Sequence, residues 1–308
     1  MCVPFCIALN YNLSRRMRLF GHFRTFAFIW LYERGDGLQI TKIHTAGSDY
    51  LLTEEDVHAP NVFAKRLLDR RTGVGADGLL FLGTAAGADA SVRLYLPDGS
   101  EAMPGATALI AAARAVYDRT RAARVSLWAG EELRTVRMSV LGGRVLCAWL
   151  SMPPIRPRPM EQLKYYHGIR GEVLRACLPR PRVSLYALGG EHAVFLIESP
   201  AVLRTLALAD VCTRLSEVLF WGEKLDLHFC ALSGENALVM RSWRCGIGEI
   251  AASGEGAVLS AYAATEAELC DKPRVMAKAL GGSFCVELFD KEASLCAKCE
   301  MVFVGEAV

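Results

Sequence analysis

Glu101, His192, Glu249 and Ser253 are the side chains whose types and settings could carry chemistry in this sequence. Glu101 stands in DGSEAMPGATALIAAARAVYD (Asp98 to Asp118), ahead of a break at Pro104-Gly105 and a run of small residues. Glu249 stands in the same way in GIGEIAASGEGAVLSAYAAT (Gly246 to Thr265). Superposed at one constant offset, the two stretches bring Glu101 onto Glu249 and Gly105 onto Ser253. Each then sets a polar turn against the start of a helix, where unpaired N–H groups and the helix dipole favour an anion. The carboxylates read as stabilisers of their helix N-termini ahead of any catalytic duty. Ser253 suits a helix N-cap, and becomes a nucleophile only with a base beside it. His192 follows a glycine turn and precedes AVFLI, so it reads equally as a cleft acid/base and as a turn histidine with its bonds satisfied. His44 reads as structural, and Asp49 and Asp98 shape turns or caps as readily as they do chemistry.

The elements that must position these residues follow from periodicity. Leu109, Ala112, Ala113 and Val116 have helical spacing after Gly105, and an Ala-rich run of the same kind follows Ser253. LQITKIHT, SVRLYLPDG, RVSLWAG, LRTVRMSVLGG and RVLCAWLSM read as strands, with a helix around Asn61 to Arg70 between the first two. The glycines of VGADG precede a strand, the reverse of the order a dinucleotide fingerprint requires. PPIRPRPM breaks the pattern near residue 150, because prolines at that density continue neither strand nor helix. Beyond it RVSLYALGGEHAVFLIES, a helix around Leu203 to Leu219, KLDLHFCALS, NALVMRSWRCGIGE, SFCVELF and EMVFVGEAV repeat the style. A first lobe over 39–150 and a second over 151–308, with the last strands free to return to the first, give an α/β (α+β) fold. Two pseudo-symmetric lobes would each wrap strands around a central helix.

Composition bounds the partners. Of 308 residues, 52% are hydrophobic and 22% charged, and 35 basic against 33 acidic residues leave a net charge of +2. That balance implies neither nucleic acid nor an anionic membrane. Eleven cysteines, odd in number and set in apolar runs, suit reduced buried thiols and a cytoplasmic location better than a disulfide framework. Cys296 and Cys299 have ligand spacing, but no second pair or histidine cluster completes a metal site. Residues 1–38, with LFGHFRTFAFIWLY, are interrupted by His22 and Arg24 and fall short of the ~20 apolar residues of a span. They lack a signal-peptide cleavage site too, and read as an appended segment, disordered or an over-long start.

From about Gln39 onwards the chain resembles the diaminopimelate epimerase family, motif by motif and in order. KIHTAGSDY is similar to that family's Lys-x-His-Gly-x-Gly-Asn-Asp-Phe, RRTGVGADGLLFL to its Gly-Ile-Gly-Ala-Asp strand, and YLPDGSEAMPGATALIAAARAVYD to its first active-site segment. GGEHAVFLIES resembles Asn-Pro-His-x-Val, WRCGIGEIAASGEGA resembles Glu-Arg-Gly-x-Gly-Glu-Thr-x-x-Cys-Gly-Thr-Gly-Ala, and CEMVFVGE the closing strand. The resemblance implies cofactor-free inversion at an amino-acid α-carbon, by one thiolate and one thiol at the N-termini of the two central helices. It also implies a homodimer, a cytoplasmic site of action, and a role in the lysine and peptidoglycan precursor pathway.

Carried over residue by residue, the resemblance puts the two catalytic cysteines at Gly105, which has no side chain, and at Ser253, whose hydroxyl is far less acidic than a thiol. The anion-binding turns become Ala106-Thr107-Ala108 and Gly254-Glu255-Gly256. The substrate-holding asparagines fall on Ser48, Leu96, Gly190 and His228, and the Glu-Arg pair on Arg244-Cys245. Glu255 would strengthen the first turn of its own helix while repelling a substrate carboxylate, and Arg244 reverses a charge meant to hold an ammonium. The expectation is an epimerase-like protein that has lost its two-thiol pair, with a small amino-acid-like ligand and no cofactor or metal. An active isomerase with an acid/base set rearranged around His192 and Glu255 or Glu249, and a non-catalytic binding or partner subunit, are the alternatives.

Overall fold

The computed structural model describes residues 38–159, 178, 181–218, 225–271, 273–290 and 292–307. Apart from Leu38, the appended N-terminal segment lies outside the described residues. In the first lobe β1 (Leu38–Thr45) and β2 (Ser48–Thr53) form a hairpin, α1 (Pro60–Leu67) crosses to β3 (Gly78–Gly83), parallel to β2, and β4 (Ala90–Tyr95) returns antiparallel. Short β5 (Glu101–Ala102) folds back on β4. Helix α2 (Ala106–Thr120) then crosses to β6 (Arg124–Ala129), parallel to β4, and β7 (Glu132–Leu141) and β8 (Arg144–Ser151) complete a meander.

The second lobe repeats the path step for step. β10 (Arg182–Ala187) and β11 (Glu191–Leu196) form the hairpin; α3 (Pro200–Thr205) and α4 (Leu208–Val218) cross to β12 (Leu225–Gly234), parallel to β11. β13 (Ala237–Arg244) returns, β14 (Gly248–Ile250) folds back on it, and α5 (Gly254–Glu266) crosses to β15 (Arg274–Lys278), parallel to β13. β16 (Ser283–Phe289) and β17 (Glu292–Ala297) form the second meander. β17 pairs with β8, which joins the two lobes edge to edge. The strand after each meander crosses over: β9 (Arg156–Arg158) pairs with β10, and β18 (Cys299–Ala307) with β1.

Two expectations need correction. Pro157 lies within a strand, because β9 makes its only described pairing with β10, and the N–H that proline lacks is not needed on an edge. The helix expected over Leu203 to Leu219 is two helices, with Leu206 extended between them. Arg241 from β13 donates through Nη1 to the carbonyls of Leu203 and Leu206 at 3.1 and 2.7 Å. In a continuous helix those acceptors would serve amides one turn on.

The central helices are buried on every side, as their small-residue sequences require. Residues 106–113 of α2 and 256–264 of α5 lie inside one apolar core that spans both lobes. Smaller cores form around Phe195 and Phe229 beneath α3 and α4, and around Leu68 and Leu79 beneath α1. No helix among the described residues is long and apolar enough to cross a membrane.

Candidate active site

The N-termini of α2 and α5 meet. A Cβ added to Gly254 would lie 2.7 Å from the Ala106 side chain and 2.7 Å from Leu295, so the first turns of the two helices touch and Gly254 is the residue that lets them. Gly105 is the extended N-cap of α2 and offers no side chain to cap it. The cap comes from the other lobe: the Ala106 N–H donates to Glu255 Oε1 at 2.6 Å. Glu255 therefore does not simply support its own helix, as the sequence suggested; its carboxylate crosses to the opposite one. A Cβ on Gly105 would stand 3.1 Å from that same oxygen.

Ser253 is buried and caps α5, its Oγ accepting the Gly256 N–H at 3.0 Å, a bond worth about 1 kcal/mol. Glu101 and Glu249 cap neither helix. Tyr95 donates its hydroxyl to Glu101, and Glu249 forms a two-pronged ion pair with Arg241 at 2.7 and 2.9 Å. Glu249 thus ties β14 to the guanidinium that separates α3 from α4. Asp98 accepts from the amide and hydroxyl of Ser100 in the turn ahead of β5.

On the second-lobe side two histidines are buried beneath the first turn of α5. His192 Nε2 lies 3.1 Å from the Leu188 carbonyl, His192 Nδ1 lies 3.1 Å from His228 Nε2, and His228 Nδ1 lies 2.9 Å from Ser242 Oγ. A carbonyl only accepts, so His192 Nε2 donates to it. With both rings neutral, His228 Nε2–H donates to His192 Nδ1, and Ser242 donates to His228 Nδ1. Each of the four ring nitrogens is used within the chain. Burial, then the neighbouring His192 and Arg244, hold His228 well below the ordinary imidazole range. A depressed histidine favours the native state while it stays neutral. As pH falls below the unfolded value of about 6.5, the unfolded chain takes up a proton the folded one refuses, and stability declines. Urea unfolding between pH 7.5 and 5 is expected to show this loss, at most about 1.4 kcal/mol per pH unit for one proton, and His228→Asn to flatten it. An unchanged slope in that variant would refute the assignment.

On the first-lobe side Tyr50 reaches Thr107, with Oη 2.7 Å from Oγ1 and both residues buried. Burial, offset in part by that bond, pushes the Tyr50 phenol up to about 12, so it stays protonated. Behind it Lys42, Asp49, Arg70 and Asp77 form an ionic cluster, with Arg70 Nη2 2.6 Å from Asp49 and 2.7 Å from Asp77, and Lys42 Nζ 3.0 Å from Asp49. Burial raises Asp49, but Arg70 and Lys42 together outweigh it and hold the carboxyl low; burial and the Asp49 charge push Asp77 up.

The remaining sequence candidates scatter. Arg244 pairs with Asp226 at 3.4 Å, and the Cys245 N–H donates to the same carboxylate at 3.1 Å, while the Cys245 side chain is exposed. Ser48 is buried at the start of β2, Leu96 packs against the core, and Gly190 closes the β10–β11 turn beneath His192. His44 faces Glu300 across the β1–β18 pair at 3.5 Å. Cys296 and Cys299 are buried on adjoining strands with thiols raised chiefly by burial, and no group of three or more potential ligands could hold a metal among the described residues. Tyr50, Asp226 and Ser242 were missed by sequence reasoning. A phenol where the family motif has Phe was the available signal for Tyr50.

No family model matches the chain. The diaminopimelate epimerase of Methanococcus maripaludis strain S2 is 26% identical over 285 residues, covering 87% of this chain and 99% of its own. Among solved structures, a predicted epimerase from Pseudomonas aeruginosa superposes with a TM-score of 0.65 at 13% identity, over 88% of this chain and 99% of that one. A probable proline racemase from Agrobacterium radiobacter K84, crystallised with carbonate, superposes with a TM-score of 0.61 at 13% identity, over 88% and 93%. The chain thus shares the fold of these epimerase- and racemase-like proteins and, along most of its length, is similar in sequence to the diaminopimelate epimerases.

Proposed function

We propose that this protein is a diaminopimelate epimerase-like protein that no longer inverts an α-carbon, because the two-thiol acid/base pair is absent. The observation that carries the reading is Gly105: at the N-terminus of α2 it supplies no acid or base, and the space beyond it is taken by Glu255 at 2.6 Å from the Ala106 amide. Ser253, its counterpart on α5, is buried and serves as a cap. Abstracting an α-proton needs a base within hydrogen-bond reach of the carbon and an acid on the opposite face. Neither Gly105 nor Ser253 offers one, and the carboxylate that stands between the two helix starts, Glu255, is engaged by the Ala106 N–H.

The alternative acid/base set around His192 is less well supported. Both of its ring nitrogens are bonded within the chain, and Glu249 is held by Arg241. The ligand class remains amino-acid-like by similarity, as do a cytoplasmic location, a homodimer and a place near lysine and peptidoglycan precursors. The test is exchange of the α-proton with deuterated water over a panel of amino acids including diaminopimelate. The expected result is no exchange above the protein-free rate; exchange of any member above that rate would overturn the reading.

A further inference from the structure

Cys147, Cys285 and Cys296, none of them at position 105 or 253, share one face of the sheet where the two lobes join. Cys285 of β16 and Cys296 of β17 are directly opposed in antiparallel register. Their chain neighbours Phe284, Val286, Leu295 and Ala297 belong to the shared core, so by strand alternation both cysteines stand on the other face. Across the seam Cys296 faces Trp149 of β8, and Cys147 lies two residues from Trp149 on the same side of that strand. Cys147 and Cys285 are half-buried, whereas Cys296 is 8% exposed. All of them are free thiols, and they form no metal site among the described residues.

Opposed residues of an antiparallel pair have Cα atoms roughly 4.5 to 5.5 Å apart and side chains on one face, inside the span that a disulfide bridges. A diagonal neighbour, as Cys147 is to Cys296, stands roughly 7 to 8 Å away, at or beyond that span. We infer that Cys285 and Cys296 are a redox pair, which a low-molecular-weight disulfide closes into a cross-strand bridge pinning β16 to β17, the strand that carries the lobe seam. The more exposed Cys285 attacks as a thiolate and breaks the oxidant's S–S bond, forming a mixed disulfide and releasing one thiol. Cys296 then gives up its proton and attacks the Cys285 sulfur, releasing the second thiol. The protein loses two protons and two electrons, and the oxidant is reduced to two thiols. Burial, then Cys147, raises the Cys296 thiol; burial raises Cys285 too, with Arg274 offsetting part of it. The reduced pair therefore gains little from thiolate charge, and the bridge once formed is not of the readily reduced kind.

The test equilibrates the full chain in mixtures of reduced and oxidised glutathione, blocks free thiols by alkylation, and quantifies linked peptides by mass spectrometry. The native protein is expected to yield a peptide linking Cys285 to Cys296 that dithiothreitol removes. The effective concentration of this pair is expected to exceed that in the urea-unfolded chain by about tenfold or more. Cys147→Ala is expected to keep the link, and Cys285→Ser and Cys296→Ala to lose it. Linkage of Cys296 to Cys147 in the native protein would overturn the inference. So would a glutathione adduct that stays on Cys285 without closing, or equal effective concentrations in the folded and unfolded chains. The inference does not depend on the proposed loss of two-thiol chemistry, and α-proton exchange by the native protein would leave it standing.

Discussion

Gly256→Ala is expected to destabilise the protein by about 2 kcal/mol or more, against the gain that alanine normally brings to a helix interior. The added Cβ would stand 2.4 Å from His228 Nδ1, 2.6 Å from Cε1 and 3.0 Å from Cγ. A flexible side chain could swing away, but this ring is held at one nitrogen by His192 and at the other by Ser242, and it is fully buried. Relief therefore means either breaking both bonds, which leaves buried polar atoms unpaired, or shifting the first turn of α5 and with it the Ser253 cap. Removing the ring should remove the conflict. Gly256→Ala combined with His228→Ala is expected to be more stable than the sum of the two single changes predicts, and a double-mutant cycle by urea unfolding measures that coupling. Additive effects would mean that the backbone absorbs the methyl elsewhere and that His228 does not set the glycine requirement.

The same pair of residues shows how far the sequence was readable. The central helices were legible because runs of alanine and other small residues after a glycine or proline break fit only a helix buried on all sides, and residues 106–113 are buried throughout. The parallel lobe plan was legible from the recurrence of these runs. His228 was visible only as a substitution, yet it sits in a strand covered on both faces, where an imidazole must find partners. Those partners, His192 and Ser242, are set by the pairing of β12 with β11 and β13, and a linear pattern does not carry register. Glu255 stands in the first turn of its own helix as expected, but its bond to the other helix was not legible, for a related reason. Local rules place a carboxylate in the first turn of a helix as that helix's own stabiliser. That it serves the other helix follows from the contact of Ala106 with Gly254, which only the docking of the lobes creates.

Restoring the two thiols alone is expected to leave the protein inactive. In Gly105→Cys with Ser253→Cys, the new Cβ at 105 would lie 3.1 Å from Glu255 Oε1 and 3.7 Å from its Cδ, so the sulfur would be placed against a carboxylate. A helix N-terminus lowers a thiol from its usual value of about 8.5, but a negative charge in contact raises it again, and little thiolate would remain at neutral pH. The carboxylate would also hold the Ala106 amide against a substrate carboxylate seeking it. Adding Glu255→Thr, the residue type of the family's Gly-Thr-Gly turn, removes both obstacles. The triple variant is expected to exchange the α-proton of diaminopimelate faster than the double variant by about 10² or more, the lower range of what a positioned acid or base contributes. Mass-spectrometric deuterium uptake at matched protein concentration measures the difference. Equal rates in the double and triple variants would show that Glu255 yields its place freely. The block to catalysis would then lie with the charge reversal at Arg244, which is turned toward Asp226 at 3.4 Å, and with the internally bonded His192.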